Sequence, residues 1–129
     1  MFDALRRVLE SEPRVGYALL FGSGGRGTLR PESDLDVGLG LVPGSPMTAL
    51  ELGDLGSRLE TAAGRPIDLV LLDEASPGVA YRAFKDGRVL VERDRRALVD
   101  RKTRAILEYL DFKPVEDLCS RGVLAARGR

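Results

Sequence analysis

The chain has 129 residues, 31% of them charged, and its 20 basic residues are matched by 20 acidic residues. This length suits one domain with a single core, and the lack of net positive charge disfavours nucleic acid as the main partner. No histidine is present, which excludes histidine bases and histidine-ligated zinc, and the single cysteine, Cys119, excludes an internal disulfide. No apolar run reaches the roughly 20 residues that span a bilayer, and the start is too charged for a signal peptide, so we expect a cytoplasmic protein.

The first elements follow from hydrophobic spacing. An amphipathic helix is predicted before Pro13, because apolar residues recur at helical spacing from Phe2 to Leu9. The apolar run at 15–21 predicts a first strand that stops at Gly22. A second strand is predicted at 34–41, since apolar and polar residues alternate there, and a turn-rich loop closes it.

The second half of the chain alternates helices and short strands. Ser76 followed by Pro77 is typical of a helix start, and Gly64 is typical of a helix end. Pro114 is expected to stop the last long helix. The predicted elements are a helix at 47–64, a strand at 67–72, a helix at 77–86, a strand at 88–91, a helix at 98–110 and a last short helix after 115.

A pair of carboxylates stands out in the second predicted strand. Asp34 and Asp36 are two positions apart and therefore lie on the same face. Neighbouring like charges repel, so such a pair is normally compensated by a cation. Mg²⁺ is the natural candidate, because it binds carboxylate and phosphate oxygens together, whereas softer metals favour Cys and His ligands. The glycine-rich turn at Gly22 presents backbone N–H groups to an anion, so these features together predict a site for a metal-bound nucleoside triphosphate.

The spacing of these residues resembles a known signature. Gly22-Ser23, ten intervening residues and then Asp34-x-Asp36 resembles the motif of the polymerase-β nucleotidyltransferase superfamily. The segments 23–27 and 31–36 are similar to its smallest members, the minimal nucleotidyltransferases of the antitoxin type.

The resemblance implies a fold and a domain organisation. The expected class is α/β, with a small mixed β-sheet and helices mainly on one face, as in the nucleotidyltransferase palm. One domain is expected over 1–129, with a catalytic core at about 15–110 and a C-terminal helix and tail at 111–129.

The resemblance also implies how metal is bound. Asp34 and Asp36 would hold two Mg²⁺ ions, with Mn²⁺ as a possible substitute, and Asp68 would bind the second metal and help to deprotonate the acceptor. The alternative for Asp68 is a strand-end carboxylate paired with Arg65 or Arg88.

In this interpretation, the glycine turn binds the nucleotide. Gly22 and Ser23 would bind the β- and γ-phosphates of ATP, with Arg26 as a further nucleotide-binding residue. The alternative for Ser23 is a helix N-cap, which is a common structural role for serine.

The acceptor of the nucleotide is implied by the resemblance alone. Minimal nucleotidyltransferases resemble the antitoxin half of a toxin–antitoxin pair, in which AMP is transferred to a tyrosine of a HEPN-domain toxin. Two alternatives remain: a small-molecule nucleotidyltransferase of the aminoglycoside type, and an antitoxin that only binds its toxin. A second copy of the chain is a further possible partner, whereas nucleic acid and membrane are disfavoured by charge and composition.

Overall fold

The structure is a computed structural model that describes residues 1–22 and 34–120, with side chains described up to 111. The predicted nucleotide-binding residues Ser23 and Arg26 therefore lie outside the described residues, as does the tail after 120. The elements in chain order are α1 (Phe2–Glu10), β1 (Val15–Phe21), β2 (Leu35–Leu41), α2 (Ala49–Ala63), β3 (Ile67–Leu71), α3 (Pro77–Asp86), β4 (Arg88–Glu92) and α4 (Arg95–Ser120).

The strands form one four-stranded mixed sheet with the order β3-β2-β1-β4. Strand β1 pairs antiparallel with both β2 and β4, whereas β2 and β3 run parallel. The parallel pair requires a crossover connection, and α2 supplies it. The predicted α/β class with a small mixed sheet is confirmed.

Helices cover both faces of the sheet. The side chains of β1 alternate between the two faces, with Ala18 and Leu20 in one core and Tyr17 and Leu19 in the other. Helices α1 and α2 contribute to the first core, and α3 and α4 contribute to the second. The expectation of helices mainly on one face is corrected here, because each helix pair buries an apolar stripe and each sheet face offers an apolar surface to receive it.

Local signals define several helix ends as predicted. The Ser76 hydroxyl accepts a hydrogen bond from the backbone N–H of Val79 at 3.4 Å, with Pro77 at the first helical position. Gly64 ends α2 in the left-handed conformation with φ of 71°. Thr48 and Glu51 add a reciprocal capping box at the start of α2.

Helix α4 differs from the prediction at both ends. It begins at Arg95, where the Asp94 carboxylate accepts a hydrogen bond from the backbone N–H of Ala97 at 3.0 Å. It then continues through Pro114 to Ser120, so the predicted break and separate short helix are wrong. Proline removes one backbone donor, and a helix of 26 residues retains enough other hydrogen bonds to continue past it. None of the helices in the described part of the chain is both long and apolar enough to cross a membrane.

Candidate active site

Strand register brings two of the predicted aspartates together. Asp36 of β2 and Asp68 of β3 are direct partners in the parallel ladder, so their Cα atoms lie side by side. Asp34 immediately precedes β2 and lies close enough to act electrostatically on Asp36. Asp36 and Asp68, which are far apart in sequence, are therefore adjacent at one end of the sheet, and Asp34 lies near them.

Gly22, where the predicted glycine turn begins, lies against Asp36. Phe21, the last residue of β1, is the partner of Asp36 in the antiparallel ladder, and Gly22 follows it with φ of 69°. A Cβ atom at Gly22 would lie 2.5 Å from Oδ2 of Asp36, which is closer than such atoms approach. Both the positive φ and this close approach favour glycine, so the predicted phosphate-binding turn and the predicted metal ligand are neighbours.

An open cavity of about 470 Å³ lies over this end of the sheet. We call it the α3 cleft, because one wall is formed by a face of α3 and its floor is formed by the sheet. Its lining residues are Phe21, Gly22, Asp36, Asp68, Val70, Val79, Arg82 and Asp86. The lining thus contains both apolar and charged side chains, which suits a ligand with both kinds of surface.

The electrostatics of the cleft favour a cation. Burial raises the pKa of Asp36, and the negative charges of Asp68 and Asp34 raise it further. No ion pair between Asp68 and an arginine is found among the described residues, and Arg88 instead lies over the ring of Phe2 at 4.5 Å. Among the described residues, no salt bridge relieves the charge repulsion at Asp36.

The oxygen atoms of the aspartates are suitable ligands for a metal ion. Carboxylate oxygens are the ligands that Mg²⁺ and Mn²⁺ prefer, so the residue types fit a hard divalent cation. In residues 1–22 and 34–111, no group of three or more His, Cys, Asp or Glu side chains converges as a finished metal site. Asp36 and Asp68 provide an adjacent pair, and a complete site needs a further oxygen donor, from Asp34 or from a substrate phosphate.

Sequence reasoning missed the wall of the cleft. Val79, Arg82 and Asp86 line it at positions i, i+3 and i+7 of α3, which is one face of a helix. That periodic signal was present in the sequence, but only the fold shows that this face lies opposite Asp36 and Asp68. The predicted residues Ser23 and Arg26 cannot be compared, because they fall in the interval 23–33, outside the described part.

Several solved structures share this fold over two thirds or more of the chain. A chain of a toxin–antitoxin complex with AMP-PNP matches with a TM-score of 0.78 at 20% identity, covering 95% of this chain and 98% of that chain. A chain from the structure of a tri-AMPylated Shewanella oneidensis HEPN toxin in complex with an MNT antitoxin matches with a TM-score of 0.72 at 18% identity. The match covers 96% of this chain and 99% of that chain. A minimal nucleotidyltransferase matches with a TM-score of 0.57 at 27% identity, covering 67% and 88%.

Sequence comparison gives the family. A search of curated proteins finds no match. The family described as "Polymerase beta, Nucleotidyltransferase" matches residues 3–96, which is well over half of the chain and includes all three aspartates. The chain therefore belongs to the polymerase-β nucleotidyltransferase family, and it is a nucleotidyltransferase.

Proposed function

We propose that this nucleotidyltransferase transfers AMP from ATP to a tyrosine hydroxyl of a HEPN-type toxin and thereby acts as its antitoxin. One observation carries the proposal: Asp36 and Asp68 stand in register on adjacent strands, beside the Gly22 turn and in an open cleft. This arrangement provides two adjacent carboxylates beside Gly22, where the predicted phosphate-binding turn begins. ATP as the donor places the reaction in the cytoplasm.

The reaction follows from general phosphoryl chemistry. The acceptor oxygen attacks the α-phosphorus of ATP, the bond from that phosphorus to the bridging oxygen breaks, and pyrophosphate leaves. We assign the hydroxyl proton to Asp68, which is exposed and lines the cleft. Gly22, Ser23 and Arg26 are proposed to bind the nucleotide.

A divalent cation fits the carboxylate pair. Asp34, Asp36 and Asp68 would hold Mg²⁺, as two ions, or Mn²⁺ in its place. The bound metal supplies positive charge that offsets the negative charge of the phosphates and the carboxylates. The raised pKa of Asp36 supports this assignment, because burial and then the negative charges of Asp68 and Asp34 cause it. One similar solved structure, of the MntA–HepT complex, carries two Asp→Glu substitutions two positions apart, the spacing of Asp34 and Asp36.

The choice of acceptor rests on the similar complexes. One is a toxin–antitoxin complex with an ATP analogue, and another contains a HEPN toxin that is AMPylated. Each aligns with at least 95% of this chain, so the likeness is not restricted to a shared core. A protein acceptor also fits the shape of the site, since the α3 cleft is open and a partner can close it.

The test is to incubate the chain with ATP, Mg²⁺ and the product of the adjacent gene, followed by intact-mass measurement and peptide mapping. We expect AMP on a partner tyrosine with the wild type and no adduct with Asp36→Asn. The matched control is Asp54→Asn, which removes an exposed carboxylate of α2 away from the cleft and retains activity.

Three other results would overturn the proposal. Adenylylation of an aminoglycoside-like compound with an unmodified partner would favour a small-molecule enzyme. Inhibition of the toxin without any adduct would favour an antitoxin that acts by binding alone. Adduct formation by Asp36→Asn at the wild-type rate would show that the chemistry lies elsewhere.

A further inference from the structure

The α3 cleft contains one basic residue that the motif does not include. Among the described residues that line the cleft, Arg82 is the sole cation, and it shares the space with the carboxylates of Asp36, Asp68 and Asp86. It lies on the wall formed by α3, whereas Asp36 and Asp68 lie on the floor formed by the sheet. An exposed arginine on a helix is often only solvated, so its contacts decide whether it has a role.

The contacts of Arg82 leave most of its donors free within the described structure. Its Nε–H donates to the backbone carbonyl of Gly78, one turn earlier in α3, at 3.2 Å. This bond directs the side chain along its own helix. No ion pair joins Arg82 to a carboxylate within 1–22 and 34–111, although Asp86 follows it at i+4. The two terminal nitrogens, with four N–H groups, therefore remain available to a ligand in the cleft.

The nearest basic residues in sequence are engaged elsewhere. Lys85 lies 5.9 Å from the centre of the Tyr81 ring, and Tyr81 stacks on Tyr109 of α4. The guanidinium of Arg88 lies over Phe2 of α1. Neither residue lines the cleft, so α3 presents a single guanidinium to it.

We propose that Arg82 binds the phosphate chain of the nucleotide from the helix wall, opposite the aspartates. This inference rests on the proposed function, because it needs ATP in the α3 cleft. A triphosphate beside three carboxylates requires positive charge from more than one direction, and the planar guanidinium matches phosphate oxygens with paired hydrogen bonds. Arg82 is thus a positioning residue for the substrate, assigned from the fold and absent from the glycine–aspartate motif.

The test measures ATP and adenosine binding by calorimetry with Mg²⁺ present, for Arg82→Ala, Arg82→Lys and wild type. We expect Arg82→Ala to weaken ATP binding about tenfold, with adenosine binding unchanged, since adenosine has no phosphates. Arg82→Lys should lie between them, because lysine keeps the charge and loses the paired geometry. The matched control is Arg96→Ala on α4, whose side chain is 92% exposed, and it should bind ATP as the wild type does.

The outcomes separate this inference from the function on which it rests. Wild-type ATP affinity in Arg82→Ala would overturn the inference and leave the proposed function standing. Unchanged ATP affinity with a raised KM for the protein acceptor would also overturn it, and would assign Arg82 to acceptor binding. Failure of the wild type itself to bind ATP would overturn both.

Discussion

Replacing Asp36 with asparagine should stabilise the metal-free protein while abolishing transfer. Asp36 is partly buried, and its ladder partner Asp68 carries a like charge on a strand about 4.8 Å away. Two charges separated by about 6 Å in an effective dielectric of about 40 repel by about 1 kcal/mol. Removing this repulsion should raise the free energy of unfolding by that amount and the melting temperature by about 4 °C.

The pH dependence of stability tests whether charge repulsion at Asp36 is the cause. A carboxyl whose pKa is raised in the folded state lowers stability as pH increases from the unfolded pKa through the folded pKa. The gain in stability of Asp36→Asn over the wild type should therefore be complete at pH 7 and disappear below the ordinary pKa of aspartate. Thermal melts in excess chelator measure it, with Asp54→Asn as the control. A variant that melts below the wild type at pH 7 would refute the reasoning, because Asp36 would then be making a favourable contact.

Three further predictions concern the body of the fold. Gly40→Ala should lower the free energy of unfolding by about 3 kcal/mol in denaturant titrations, because the added Cβ would lie 2.0 Å from the ring of Tyr17. Tyr17→Phe should raise the free energy of unfolding by about 1 kcal/mol, since the buried hydroxyl has no hydrogen-bond partner among the described residues. A lower free energy of unfolding in this variant would show that the hydroxyl has a partner. Glu12→Gln should cost about 1 kcal/mol at neutral pH, because hydrogen bonds from Arg14 lower the pKa of Glu12 from 4.5 to about 2. That stabilisation is lost as pH falls through the same interval, so acid denaturation curves of variant and wild type should converge near pH 2.

The order of elements was predictable because each has a local cause. The alternation in β2 and the cap at Ser76 both act within a few residues, and the structure confirms both. The pairing of Asp36 with Asp68 was foreseen only through the family resemblance, and the ladder now gives its physical basis. Local pattern and family motif together were sufficient to find the aspartates and the Gly22 turn.

The features that were missed depend on tertiary packing. Nothing local to α3 indicates that Arg82 lines the same cleft as the aspartates, since that follows from where the helix packs against β1 and α4. The distribution of helices over both faces of the sheet likewise depends on which helices pack against each set of β1 side chains. The helix break predicted at Pro114 is wrong. Proline does remove one backbone hydrogen bond, but the other hydrogen bonds of α4 are sufficient to maintain the helix. Local rules therefore predicted the aspartates and the glycine turn, but not the residues of α3 that line the same cleft.

The central claim is that the α3 cleft is a metal-dependent nucleotide site built on Asp36. Calorimetric titration of ATP into wild type and Asp36→Asn, each in Mg²⁺ and in excess chelator, tests it most directly. We predict clear binding only for the wild type with Mg²⁺, because the carboxylates would otherwise repel the triphosphate. Equal ATP affinity of the wild type in chelator, or of Asp36→Asn in Mg²⁺, would contradict the claim.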